Sequence, residues 1–224
     1  MRGFRAELER AMRRAGFKLS EEQIRMFALY RDELKKWNRR VNLTSITDDR
    51  GIIHKHFIDS LLPLKLGLIE PGAKLADVGT GAGFPGLPMK ICEPSIETTL
   101  IDSSHKKTAF LKYLTVMMGL SGVRVVWGRA EELAERPGFE GAFDVVTTRY
   151  VADLSDSVGY CLKLLRPGGI FIAFKGEDAE REVEEASELI AELGGEVEAV
   201  LRPEMPPGLD TGRRLVLIRR RGEG

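Results

Sequence analysis

The sequence predicts an α/β fold: a mostly parallel seven-stranded sheet with helices on both faces, plus a helical N-terminal extension. Three observations predict it. From residue 73 onward, short apolar runs alternate with segments of helical periodicity, a pattern that builds parallel sheets covered on both sides. The first of those runs leads directly into glycines at 79, 81, 83 and 86, the mark of a buried strand turning into a ligand-facing loop. Upstream of residue 66 the periodicity is helical alone.

Residues 1–66 are therefore read as the helical extension and 67–224 as the sheet domain. Ser20-Glu21-Glu22-Gln23 has the form of a capping box. Phe27, Tyr30, Leu34 and Trp37 then recur at spacings of three and four, as on one helix face, and this helix should end near Arg40. A shorter helix is expected over about residues 53–66. Lys74–Val78 reads as the first strand, Gly86–Cys92 as a short helix and Thr98–Ile101 as the second strand. Ser103 or Ser104 can cap the next helix, whose Phe110, Leu114 and Met117 share a face. Val123–Trp127 and Phe143–Thr148 follow as strands, then a helix at about 153–165 stopped by Arg166-Pro167-Gly168-Gly169. Ile170–Lys175 is the fifth strand. Val183, Ala186, Ile190 and Leu193 stripe an acidic helix closed by Gly194-Gly195, and Val197–Leu201 with Arg214–Ile218 forms a last strand pair.

A chain of 224 residues, 43% of them apolar, suits one main domain with a small extension. Its formal net charge is zero, which by itself makes no case for nucleic acid, but the charge is uneven. Residues 1–50 carry 13 Lys/Arg against 8 Asp/Glu, and residues 177–198 carry 10 Asp/Glu against one Arg. Cys92 and Cys161 have neither metal nor disulfide-framework spacing and are read as small core residues. His54 and His56 have no partners at ligand spacing, so helix packing is expected and no metal. With no signal peptide and no bilayer-length apolar run, the expectation is a cytoplasmic chain with no membrane partner, monomeric by default.

The chemistry starts at Asp77-Val78-Gly79-Thr80-Gly81-Ala82-Gly83-Phe84-Pro85-Gly86. Its core, Asp-x-Gly-x-Gly-x-Gly, resembles the cofactor loop of S-adenosylmethionine (SAM) methyltransferases. Gly81-x-Gly83-x-x-Gly86 also satisfies the dinucleotide fingerprint, with Asp102 19 residues beyond Gly83. Three features favour SAM over NAD: Asp77 two residues before the first glycine, Pro85 where a dinucleotide loop would be entering its helix, and no Tyr-x-x-x-Lys dyad. A turn with no ligand is the remaining reading. Asp102, ending the second strand, can accept from both ribose hydroxyls or cap the following helix, or do both. Gly128-Arg129-Ala130-Glu131 follows the third strand, where methyltransferases cradle adenine.

Further segments resemble one family, the bacterial RsmG (GidB) group, which methylates N7 of a guanine in small-subunit (16S) rRNA. They are Trp37–Thr44, His56-Phe57-Ile58-Asp59-Ser60-Leu61, Asp77–Pro88, Leu100–Ser103, Phe110-Leu111, Phe143–Arg149, Leu165–Gly169 and Phe174-Lys175-Gly176. The resemblance implies a class I SAM-dependent methyltransferase (Rossmann-like) fold, SAM as cofactor, and 16S rRNA or the small ribosomal subunit as partner. It implies SAM contacts at Gly79, Phe84, Ala130, Glu131 and Arg149, with Asp102 as the ribose acid. The expected cofactor site is thus Asp77, Gly79, Gly81, Gly83, Phe84, Asp102, Ser103, Ala130, Glu131 and Arg149, with Arg149 and Lys175 positioning the reactants. Tyr150, Val151 and His105 depart from the family pattern, the first two at the pocket wall.

N7 of guanine bears an in-plane lone pair and no proton, so no general base is needed and positioning carries the rate. The fourth strand ends in Thr147-Thr148-Arg149-Tyr150, not the Asn/Asp-Pro-Pro-aromatic motif of amino-group methyltransferases, and no Pro-Cys pair offers a thiolate. Arg149 is open to three ligands (the methionine carboxylate, a phosphate, guanine O6) or to an internal ion pair; Lys175 to phosphate or base contact, or to a solvated strand end. Lys35-Lys36-Trp37-Asn38-Arg39-Arg40 can meet RNA phosphates or merely match a helix dipole, and Trp37 fits the apolar stripe. Two other functions remain open: a SAM methyltransferase of small molecules or proteins, and a non-catalytic nucleotide-binding module.

Overall fold

Lys74–Val78 (β1) lies at the middle of a seven-stranded sheet of order β3-β2-β1-β4-β5-β7-β6 in the computed structural model, which describes residues 2–149, 153–205, 207–208, 210 and 212–222. The other strands are β2 (Glu97–Asp102), β3 (Val123–Trp127), β4 (Phe143–Arg149), β5 (Leu165–Lys175), β6 (Gly195–Leu201) and β7 (Arg214–Arg220). β1 pairs in parallel with both β2 and β4, so the strand order reverses there and leaves a crevice at the strands' carboxyl ends. β7 runs antiparallel to β5 and β6. That pair closes one flank of the sheet, as the turn-rich segment before it requires.

Side-chain alternation sends the strand residues into two cores, one on each face. Leu75, Leu100, Val145, Ile172 and Leu217 enter the first; Ala76, Ile101, Val146, Phe171 and Val216 enter the second. The second is covered by α7 (Ala130–Leu133), α8 (Leu154–Leu164) and α9 (Ala179–Glu192). The first is covered by α5 (Gly86–Cys92) and α6 (His105–Met117) and also by α1 (Arg2–Arg14) and α2 (Glu21–Asn38). Phe4, Leu8, Phe27, Tyr30, Leu34 and Phe57 therefore pack in one cluster with Phe84 and Leu87 of the glycine loop and α5. The N-terminal helices thus form the wall behind that loop.

The capping box forms as read: Ser20 Oγ accepts from Gln23 N at 3.2 Å, and Ser20 N donates to Gln23 Oε1 at 2.8 Å. α2 stops at Asn38, short of Arg40. There Asn38 turns on the next loop, its Oδ1 accepting from Leu43 N and Thr44 N and its Nδ2 donating to Thr44 O. The helix expected over 53–66 is instead α3 (Asp49–Gly51), a π-helical turn at Ile52–Ile58 and α4 (Leu62–Lys65). The wider turn buries His56, Asp59 and Ser60 together. β5 begins at Leu165 and runs through Pro167-Gly168-Gly169, which forms a register shift against β4 between Phe143 and Val145. Met117 and Leu193 lie outside the apolar stripes assigned to them, at 50% and 44% exposure. Among the described residues no helix is long and apolar enough to cross a membrane.

Candidate active site

Where β1 gives way to the glycine loop, Gly79, Gly81 and Gly83 take φ of +64°, +61° and +101°, a region costly for any side chain with a Cβ. Their surroundings differ. A Cβ on Gly83 would sit 2.6 Å from the Tyr30 hydroxyl and 2.7 Å from Leu87. A Cβ on Gly86 would sit 2.6 Å from Leu100 and 2.9 Å from Asp77. At Gly81 the nearest atom is Gly79 O at 3.9 Å, so this glycine borders open space. Gly83 and Gly86 serve close packing behind the loop; Gly81 borders open space, and Gly79 lines a cleft.

Asp77 and Tyr30 hold that shape from below. Asp77 is fully buried; its Oδ2 accepts from Thr80 Oγ1 (2.6 Å) and Gly86 N (2.8 Å), and its Oδ1 from Thr147 Oγ1 (3.3 Å). It ties the two ends of the loop and the neighbouring strand to one carboxyl group. The Tyr30 hydroxyl donates to Ala82 O at 2.6 Å. Burial raises the Asp77 carboxyl from 3.8 to about 6, only partly offset by its hydrogen bonds. The folded state therefore holds this proton more tightly than the unfolded chain. The stability so gained is full below pH 4 and lost as pH rises through about 6, a swing of at most about 3 kcal/mol. Denaturant unfolding between pH 4 and 7 should show that decline in the native chain and a flatter one in Asp77→Asn. Parallel profiles for the two chains would refute the assignment.

Beyond the loop, a cleft of about 120 Å³ opens at the carboxyl ends of β1, β2 and β3. It is lined by Gly79, Asp102, Ser103, Ala130 and Glu131, five of the residues singled out in the sequence, together with Val78 and Tyr160. Asp102 is held in place: Oδ2 accepts from Gly81 N and Oδ1 from Ser104 N, each at 2.8 Å. A carboxylate has about four lone-pair sites. Two are used by the backbone, which leaves each oxygen one acceptor for a vicinal diol. Ser104, not Ser103, caps α6. A larger cavity, about 380 Å³, lies at the opposite edge against Lys74, Glu97, Val123 and Phe143, the first residues of their strands. Ligands of open α/β sheets bind outside the carboxyl ends, so the smaller cleft is the candidate.

Other expected site residues gather in a second, buried cluster beside the cleft. Phe84 is stacked between Tyr30 (5.1 Å, 9°) and His56 (4.5 Å, 14°). Arg149, 6% exposed, lies over Phe84 and donates from Nη1 to Asp59 Oδ2 (3.0 Å) and Lys55 O (3.1 Å). Its Nη2 lies 3.1 Å from His56 Nδ1; a guanidinium only donates, so Nδ1 accepts and Nε2–H faces Thr44 Oγ1 at 2.8 Å. Burial first, then the Arg149 charge, lowers His56 to about 3 and keeps it neutral. Arg213 joins from before β7, donating to both Asp59 oxygens at 3.0–3.1 Å. Lys175 ends β5 in a buried pair with Glu182 at 2.6 Å rather than in solvent. Tyr150 and Val151 lie outside the described residues.

Sequence reasoning missed Asp59 and Arg213 as a charge anchor, and Tyr30 as the loop's prop. The available signal for Asp59 was an acid inside the apolar stretch Ile52–Leu62, since a charge there must be paired. The basic run on α2 is partly neutralised: Asp49 holds Lys35 (2.6 Å) and Glu33 holds Lys36 (3.1 Å). Trp37 is half-buried against Phe110 and Tyr113. Burial pushes both thiols up, Cys92 to about 12, so neither offers a thiolate. Among the described residues no three His, Cys, Asp or Glu side chains group as a metal site.

A mostly parallel sheet with one antiparallel strand, a glycine loop at its switch point and an acid ending the second strand defines a class I, Rossmann-like SAM-dependent methyltransferase. Solved structures share the fold. A SAM-dependent methyltransferase from Aquifex aeolicus has a TM-score of 0.58 at 18% identity, covering 76% of this chain and 93% of that one. TYW2 of M. jannaschii, solved in complex with AdoMet, has a TM-score of 0.58 at 13% identity, covering 78% and 77%. The chain belongs to the GidB family, rRNA small subunit methyltransferase G, whose family model matches residues 23–205. A Ribosomal RNA small subunit methyltransferase G from Lactobacillus delbrueckii subsp. bulgaricus is 46% identical over 204 residues, 90% of this chain and 85% of that protein. One from Roseiflexus castenholzii is 44% identical over 213 residues, 95% of this chain and 90% of that protein. The chain is accordingly an enzyme, and SAM is its cofactor. Gly79 in the cleft wall, the open space at Gly81 and the two spare acceptors on Asp102 fit an adenosyl ribose.

Proposed function

We propose that this chain methylates N7 of a guanine in small-subunit (16S) rRNA, by direct in-line transfer and without a general base. Family membership carries the reading: relatives named for small-subunit rRNA methylation match nine-tenths or more of the chain at 44–46% identity. Cofactor-bound SAM supplies an electrophilic methyl group. The work left to the protein is to orient that methyl against a lone pair that needs no deprotonation, and orientation of two reactants is worth ~7–11 kcal/mol. The titratable groups agree with this. His56 is neutral with both ring nitrogens engaged, and Lys175 is paired with Glu182. Arg149 and Lys175 then act by position. Arg149 fixes the end of β4 to the π-helical turn and to Phe84, while Lys175 fixes the end of β5 to α9.

The same reading makes the 16S rRNA or the small ribosomal subunit the partner, the cytoplasm the place of action and a monomer the working unit. The test is incubation with SAM and either deproteinised 16S rRNA or assembled small subunits, followed by mapping of alkali-labile guanines. One new labile guanine, absent without SAM, is the expected result. Methyl transfer to a protein or small molecule, with no labile guanine in either RNA form, overturns it.

A further inference from the structure

Trp127 is 59% exposed, yet it is not loose. It ends β3, its Nε1 donates to Ser103 O at 3.0 Å, and the His105 ring meets it edge-on at 5.3 Å and 89°. A large aromatic held rigid and open to solvent at the rim of a cleft is an unusual use of apolar surface. The flanking residues Ser103 and Gly128 both line the cofactor cleft.

The charges around it are equally one-sided. α6, His-Lys-Lys-Thr-Ala-Phe-Leu-Lys-Tyr-Leu-Thr-Val-Met, carries three lysines and no acid, and its N-terminus adds a positive dipole end beside the ring. Lys106, Lys112 and Arg129 are exposed, and among the described residues no carboxylate pairs with them, whereas Lys35 and Lys36 on α2 are paired. On the acidic side, Glu132 is engaged by Arg136 at 3.6 Å, while Glu131 turns to the cleft. His105 and Lys112 are two helical turns apart along one line, about 10 Å.

We propose that Trp127 and the exposed side of α6 form a docking surface for a single-stranded segment of the RNA substrate. One base stacks on the indole, and the backbone phosphates run along Lys106 and Lys112. An exposed fixed aromatic among unpaired cations is the arrangement that binds single strands, with stacking supplied by the ring and most of the affinity by phosphates. The surface lies at the β3 flank of the cleft, on the helix against which the Trp37 end of α2 packs. This inference rests on the rRNA reading above and specifies where the strand is gripped.

Two tryptophans, Trp37 and Trp127, occur in the chain, so Trp37→Phe leaves Trp127 as the only indole reporter. Titrating that variant with a single-stranded oligoribonucleotide, and then with 16S rRNA, should quench its emission saturably. Trp127→Ala should weaken RNA binding about tenfold with the SAM dissociation constant unchanged within twofold. Lys106→Glu/Lys112→Glu should weaken it at least tenfold and lower the salt dependence of binding, again with SAM binding intact. Absence of quenching, unchanged RNA affinity in both variants, or a matching loss of SAM affinity in Trp127→Ala overturns the surface. Methylation of 16S rRNA by the native chain is measured alongside. Methylation without quenching overturns the surface alone, while no methylation of rRNA or subunits overturns the function and the surface with it.

Discussion

Replacing Asp59 by Ala should destabilise the chain by about 3–5 kcal/mol, the usual cost of removing one partner from a buried ion cluster. Asp59 is 1% exposed and takes hydrogen bonds from both Arg149 and Arg213, themselves 6% exposed. Without it two buried guanidiniums lose the carboxylate they share. Arg149→Ala should cost less, because Asp59 keeps Arg213 at 3.0 Å. That asymmetry separates a shared anchor from two independent pairs, and a double-mutant cycle measures it. Denaturant unfolding gives the free energies, and thermal melting should fall by roughly 10 °C for Asp59→Ala. Loss of methylation is expected in both variants. The network ties three chain segments around Phe84: the π-helical turn, the end of β4 and the segment before β7. A cost below about 1 kcal/mol for Asp59→Ala would mean that water or neighbouring groups replace it, and the anchor would be refuted.

The two clusters differ in how much of them the sequence carried. β1, β3 and α5 appear with the boundaries read from the chain because apolar runs there end at glycine, acid or proline, and local signals agree with the tertiary outcome. The cleft was legible for the same reason: Gly79, Asp102, Ser103, Ala130 and Glu131 all sit at or just past strand ends, where topology alone brings them together. The buried cluster was not legible residue by residue. His56 and Asp59 come inward on a π-helical turn, whose extra residue per turn answers to packing around Arg149 and has no local code. Arg213 lies 154 positions from Asp59, a pairing that no spacing rule reaches. Pro167-Gly168-Gly169 failed in a different way. It stops a helix and also shapes an irregular strand start, and only the pairing with β4 decides which. Phe84 and Arg149, expected at the cofactor, are found packed on each other and on His56.

Asp102→Ala is expected to abolish useful SAM binding. The carboxylate already accepts Gly81 N and Ser104 N, which aim it into the cleft and leave one acceptor on each oxygen. Two hydroxyls bonded to an ionised acceptor contribute about 1.5–3 kcal/mol each, so losing both should weaken SAM by a factor of roughly 10² to 10⁴. The demethylated product should suffer equally, because the ribose is common to both ligands. That equality distinguishes a ribose contact from one that senses the sulfonium charge. Asp102→Asn keeps one oxygen, and the Gly81 and Ser104 N–H groups compete for it, so an intermediate loss of tenfold to a hundredfold is expected. Calorimetry with both ligands reads the result. Melting curves show whether the glycine loop and the α6 cap survive without their acceptor. A folded Asp102→Ala chain that binds SAM within threefold of the native chain would remove the ribose role, and with it the main polar anchor this cleft offers the cofactor.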